Sequence, residues 1–534
     1  MLGMLSMSGC PKKKAYIPRS PWVLSVLFVA AAILPLAIVT AIVPGYLTHR
    51  GFPLDDAWIH MVYGRSLAEA HMLAYNPGTP TVGETSPLWA VVMALPHCTP
   101  LSIAGRVTVI KLLGWMFHAS GAAFVGLALG KIDRETGITA TFVILLHPEL
   151  AAAAVSGMEV PLAEVCIGLQ LWALSTRNTW VLFIASLLTP FARPEVGILA
   201  PLLGFLQARG KSIKERLRWS GIALLGAMAG YGLMFGRNDW VAGSFMPSTF
   251  HQKVTQGLWP KAASLGRGMT VMLPSLVPAP LLLLGAVLLG WIWLLYRQRR
   301  TGLDCSPVWI GALGLLLIAV CSALIEPREI PTYYHRRYLL VGLPLLLIGM
   351  TYLGLTLTQW LRPFVRWALI MSWILGMLAS WPSRFHHLDN DAHNIDDVQV
   401  AVGCWLAQFP QSTNFWAVDA GAVRYFGNSF VVDLMGLNTP EIFGRTGPAF
   451  LSAHPAHILE VVITWDQLHI PEEDISALHL KQYAPSTAYT VTLVKPMAMH
   501  QILTTSRLVS GHLQVLSRDY PVKLCPLPSP IFRP

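Results

Sequence analysis

The chain has 534 residues, 54% of them hydrophobic and only 12% charged, with a formal net charge of +10 and a mean hydropathy of +0.52. Soluble domains carry about 25% charged residues, so a soluble protein is excluded and an α-helical polytopic membrane protein is expected. The excess positive charge lies in short loops between apolar blocks, not on one amphipathic element, which argues against nucleic acid as a partner.

A basic cytoplasmic segment, 1–20, precedes the first apolar block at 21–43. That block is longer than the roughly 7–15 apolar residues of a signal peptide and no A-x-A-like site follows it, so it reads as an uncleaved anchor. A bilayer crossing takes about 20 apolar residues. About eleven crossings are expected, near 21–43, 103–129, 138–155, 158–176, 179–192, 194–208, 219–236, 279–296, 307–325, 337–358 and 365–381. The segments 179–192 and 194–208 are short and are expected to be tilted, broken or re-entrant. With the N-terminus inside, this order sends the basic loops around Lys131, Arg209, Arg297 and Arg362 to the cytoplasm, where short Lys- and Arg-rich loops belong.

Three pieces then face outward: the loop 44–102, the loop 237–278 and the tail 385–534, with 21–384 forming the membrane domain. In the tail, DDVQVAVGCWLAQF (396–409) has helical spacing with Asp at its start. Short β-rich runs follow at 414–419, 429–436, 459–465 and 489–495, and the alternation reads as an exported α/β domain.

Two adjacent acids open the first exported helix, in GFPLDDAWIHMVYGRSLAEA (51–70). On one reading, one Asp caps the helix and the other favours its dipole. On the other, a carboxylate at the outer lipid boundary takes the proton of an attacking hydroxyl, which makes Asp55 and Asp56 the catalytic candidates. Tyr63 and Arg65 share that helix, and Glu84 and Thr85 lie on the loop behind it.

Glu159, Arg193 and Glu195 stand between apolar runs, where inserting a charge costs roughly 2.5–3.5 kcal/mol and is kept for pairing or for function. Lys253, Arg336 and Arg337, with His251 beside the first, carry positive charge on the outer side, against the inside bias. They meet lipid headgroups or an anionic substrate. The His- and Asp-rich stretch 384–397 lacks ligand spacing and reads as a solvated linker. The seven cysteines show no C-x-x-C spacing; Cys404 and Cys525 share the exported tail, where a bridge between them would persist.

The run DDAWIHMVYGRSLAEAHMLAYNPG, with ETSPLW after it, resembles the first exported loop of bacterial GT-C-fold glycosyltransferases. It is most like the mycobacterial terminal arabinofuranosyltransferase type and less like the lipid A aminoarabinose transferase. GMEVPL, ARPE, PSTFHQK, RRYLL and, in the tail, DAGAVRYFG with VVDLMGLNTPEI follow in the same order. The resemblance implies a polyprenyl-phosphate-linked sugar donor, an envelope glycan, glycolipid or lipid acceptor, and transfer with inversion. It places the essential acid at Asp55 or Asp56. Arg193, Lys253, Arg336 and Arg337 become candidates for the donor phosphate, and Tyr63, Arg65, Glu84, Thr85, Glu159, Glu195 and His251 for the rest of the substrate. No cofactor is required, although an Asp-rich site can hold a divalent ion. The family's E-G-x-T pattern stands here as Val82-Gly83-Glu84-Thr85, and its pattern further departs at Val62, Ser248 and His251. Two other classes are consistent with the composition: a lipid flippase or transporter, and a non-catalytic assembly protein on an enzyme scaffold. The expected location is the bacterial inner membrane, with the active site outside.

Overall fold

The computed structural model describes residues 33–76, 78–207, 212–253, 261–266, 306–324, 333–407, 411–412, 414–417, 419–442, 447–454, 458–461, 489–493 and 513–515. Among them, four helices are long and apolar enough to cross a bilayer: Ile103–Leu129, Ile213–Ala242, Ser306–Leu324 and Pro363–His393. Arg134–Leu145 and Pro148–Ala154 make a fifth crossing if taken as one span bent by 61°. This is the make-up of a multi-pass membrane protein. Its lipid-facing surface is apolar, with Trp180, Trp240 and Phe364 exposed near helix ends, where aromatic rings suit the headgroup level.

The count of eleven crossings is reached only in part. Val160–Thr176, Thr179–Ala192, Pro194–Leu206 and Leu343–Leu357 are apolar helices of 10–17 residues, and the expected crossing at 279–296 lies outside the described residues. The break expected between 179–192 and 194–208 is present. Arg193 is extended (φ −154°, ψ 112°), as a residue before proline prefers, and Pro194 starts a new helix.

Two hydrophobic clusters organise the molecule. One runs through the helical bundle, from Val39 to Ala392. The other joins the loop 44–102 to the tail: Phe52, Trp58, Tyr63 and Trp89 pack with Phe415, Val423, Tyr425 and Val431. Each of the four β-rich runs in the tail holds a strand. After the first-loop hairpin, β1 (Ala74–Asn76) and β2 (Thr79–Pro80), come β3 (Asn414–Ala417), β4 (Phe430–Asp433), β5 (Ile458–Val461), β6 (Tyr489–Leu493) and β7 (Leu513–Val515). The five tail strands form one sheet in the order β4-β3-β5-β6-β7, parallel except for the β6–β7 pair. Helix Ala422–Gly427 connects β3 to β4, as a parallel pair requires.

The stretch 384–397 is not a linker. It lies almost wholly in helix Trp381–Ile395, whose Phe385, Leu388, Ala392 and Ile395 are buried on one side. Arg384 pairs with Glu149 at 3.0 Å, and Asp396 accepts the Gly51 N–H at 3.0 Å. Cys404 is disulfide-bonded; Cys525, its expected partner, lies outside the described residues.

Candidate active site

The site is built around the first-loop helix, Asp55–Ala70, which follows Pro53 and has Leu54 as its N-cap with no side-chain cap bond. Neither aspartate therefore caps its own helix. Asp55 caps a different one. Its two carboxylate oxygens accept the N–H groups of Gly421 (2.7 Å) and Ala422 (2.8 Å), at the start of helix Ala422–Gly427 in the tail. Gly421 approaches so closely that a Cβ there would stand 2.1 Å from the Asp55 carbonyl oxygen. Burial and the nearby Asp419 raise the Asp55 pKa, while the two N–H donors pull the other way.

Asp56 points elsewhere. It lines a narrow, partly open cleft of about 30 Å³ together with Ile59, His60, Gly83, Glu84, Thr85, Thr249, Arg337, Tyr338, Leu437 and Asn438. Its Oδ2 lies 2.6 Å from Arg337 Nη2. Arg337 also donates to the Tyr338 hydroxyl (3.1 Å) and sits over that ring. Of the two acids, only Asp56 is among the residues lining this cleft.

Behind Asp56 lies a buried run of charges of alternating sign. His60, one helical turn on, donates from Nδ1 to Glu84 (2.9 Å), and its Nε2 lies 3.3 Å from Glu159. Burial disfavours the imidazolium, but Glu84 and Glu159 outweigh it and raise the His60 pKa to about 10. Glu84 also accepts the Ser86 N–H at 2.7 Å. Glu159 is held by Arg193, which in turn grips Glu195. Nothing in the spacing of the sequence singled out His60. The signal available was its i, i+4 relation to Asp56, which places the two side chains on one face.

The other expected residues divide. Glu84, Thr85 and Arg337 line the cleft with Asp56. Tyr63 is fully buried beside it, its hydroxyl donating to Asn438 Oδ1 (3.0 Å) and sharing a 2.7 Å bond with Thr81. Arg65 is directed to the tail, where it donates to the Tyr425 carbonyl at 2.8 Å and lies over that ring. Arg193 pairs with both Glu159 and Glu195 and lies over the ring of Tyr338, 4.8 Å from its centroid; neither Arg193 nor Glu195 lines the cleft itself. His251 and Lys253 belong to helix Ser248–Lys253, whose Thr249 lines the cleft, and Arg336 precedes Arg337 on helix Tyr333–Leu340. The side chains of those three lie outside the described residues. Among the described residues no group of three His, Cys, Asp or Glu side chains is placed to hold a metal.

Comparison with solved structures defines a class first: the fold is that of a GT-C transferase. ArnT from Cupriavidus metallidurans bound to undecaprenyl phosphate superposes with a TM-score of 0.53 at 12% identity, covering 94% of this chain and 97% of that one. Its apo state gives 0.50 at 12% identity, with 92% and 96% covered. The Archaeoglobus fulgidus oligosaccharyltransferase AglB, solved with an inhibitory peptide and a dolichol-phosphate, gives 0.47 at 11% identity over 88% and 70%. Residues 393–510 match a family model described as a domain of unknown function, DUF8728. No curated protein matches the chain.

Proposed function

We propose that the protein is a membrane glycosyltransferase. It moves a sugar from a polyprenyl-phosphate donor to an envelope glycan, glycolipid or lipid on the exported side of the bacterial inner membrane, with inversion. The observation that carries this reading is the Asp56–Arg337 pair on a cleft within a GT-C fold. Asp56 acts as general base toward the acceptor hydroxyl, and Arg337 takes the charge of the departing lipid phosphate.

The pair also supplies a switch. Arg337 holds the Asp56 carboxylate in an ion pair. A donor phosphate competes for the same guanidinium, and its arrival turns the carboxylate from Arg337 toward the acceptor hydroxyl. Lys253 and Arg336 add cations to the same two short helices. A monophosphate leaving group is then balanced without a divalent ion, and transfer is expected to persist in EDTA. The first-loop likeness to the mycobacterial arabinofuranosyltransferase type makes a pentose donor the first to test.

The test is mass spectrometry of lipid-linked sugars and envelope glycans in cells with the protein, without it, and with Asp56→Asn. Loss of one sugar unit together with a build-up of its polyprenyl-phosphate form is expected in the last two. Unchanged glycans and donor pools would overturn the reading.

A further inference from the structure

The segment matched only to a domain of unknown function is bound to the first exported loop and reaches the cleft with Leu437 and Asn438. First, three polar side chains of the first exported loop end on its backbone. Asp55 takes the Gly421 and Ala422 N–H groups, the Tyr75 hydroxyl donates to the Ala420 carbonyl at 2.6 Å, and Asn76 both donates to and accepts from Val431 (2.8 and 3.1 Å). Arg424 returns a bond to the Tyr75 carbonyl at 3.1 Å.

Second, the turn after β4 is locked from within. The Asp433 carboxylate accepts the N–H groups of Met435 and Asn438 and the Asn438 side-chain amide, all at 2.9 Å. With its amide oxygen taken by Tyr63, Asn438 has both ends of its side chain fixed. Third, this turn closes on the first loop without slack. A Cβ on Gly83 would stand 2.5 Å from the Leu437 carbonyl oxygen and 2.7 Å from Asn438 Oδ1. Leu437 and Asn438 therefore form a rigid side of the cleft that holds Asp56.

We propose that this tail segment is a constituent wall of the transfer site: Asp55 and Asn76 fasten it, and the Asp433-locked turn sets the room beside Asp56 and hence which sugar or acceptor hydroxyl enters. The inference rests on reading this cleft as the transfer site. It divides the labour of the two aspartates, one fastening and one reacting, and makes Asp55 a positioning residue.

The experiment uses the full chain in membranes, with Thr85→Cys as a reporter inside the cleft and a water-soluble maleimide as the probe. Labelling of the peptide carrying position 85 is quantified by mass spectrometry. Adding Asp55→Ala and Asn76→Ala is expected to speed labelling about tenfold, the factor for losing a charge-assisted hydrogen bond that resists local opening. If that variant does not accumulate, Asp55→Asn, which keeps one acceptor oxygen, is expected to give a smaller acceleration. A labelling rate unchanged from the Asp55 parent in a stably accumulated variant overturns the wall, whatever the chemistry of the cleft. Conversely, accelerated labelling of the variant, where the unsubstituted chain transfers no sugar, would retain the fastening and reject the proposed activity. Where transfer is measurable, Leu437→Ala is expected to raise the acceptor KM more than it lowers kcat; an unaltered KM would overturn the role in selection.

Discussion

The two sides of the first-loop helix are made of different materials. Toward the tail, Asp55 and Arg65 both end on main-chain groups, and Trp58 packs on Tyr425 and Phe426 with ring centroids 5.1 and 4.9 Å away. Toward the cleft, Asp56 and His60 meet charged side chains drawn from three other parts of the chain: Glu84, Glu159 and Arg337. Main-chain partners are neutral and fixed by the fold, so that side can hold a position and do little else. Charged side chains can change partner or protonation when a substrate arrives, so chemistry belongs on the other side.

The sharpest way to break this contrast is to neutralise each aspartate in turn. Asp56→Asn is expected to lower transfer by at least about 10²-fold, the usual contribution of a general base. Asp55→Asn, which keeps an acceptor for Gly421 or Ala422, is expected to fall less. Purified enzyme assayed with the donor identified by mass spectrometry decides it, and equal losses would erase the distinction.

Next in size is Glu159→Ala, which takes one of two carboxylates from each of the buried cations Arg193 and His60 and leaves them Glu195 and Glu84. The cost is expected to stay below the about 3–5 kcal/mol of a buried charge left with no partner, and denaturation of the detergent-solubilised protein reads it directly. A melting curve like the parent's would show that the charge run carries no stability.

The smallest effect is in pH. His60 is raised from 6.5 to about 10, so its contribution to stability is complete below pH 6.5 and fades as the pH climbs toward 10. His60→Gln should flatten that decline, while the Asp55→Asn protein should keep it. Thermal denaturation across that range tests both.

Some of this was legible in the sequence. Pro53 and two acids mark the helix start, and the sequence places a charge beside an apolar span at Glu159 and Arg193. Which acid lines the cleft was not legible, because the group that occupies Asp55 lies 366 residues further on. The Arg193–Glu159 contact joins residues 34 apart across a helix break, a distance no local pattern spans. The misreading of 384–397 had a different cause. Phe385, Leu388, Ala392 and Ile395 carry the helical period, but the His and Asp between them hid it. The break at Pro194 was legible as two short apolar segments on either side of residue 193, whereas the bend at Pro148 lay inside what read as one run, 138–155.

Asn76 has a consequence beyond the fastening of the tail. β4 is the outermost strand of its sheet, and a bare outer strand invites a second molecule to add to it. The Asn76 amide supplies one acceptor and one donor to Val431, imitating the peptide group that such an intruder would present. One side chain thus occupies the outward backbone groups of Val431, the point on this edge of the described sheet where an added strand would have to pair.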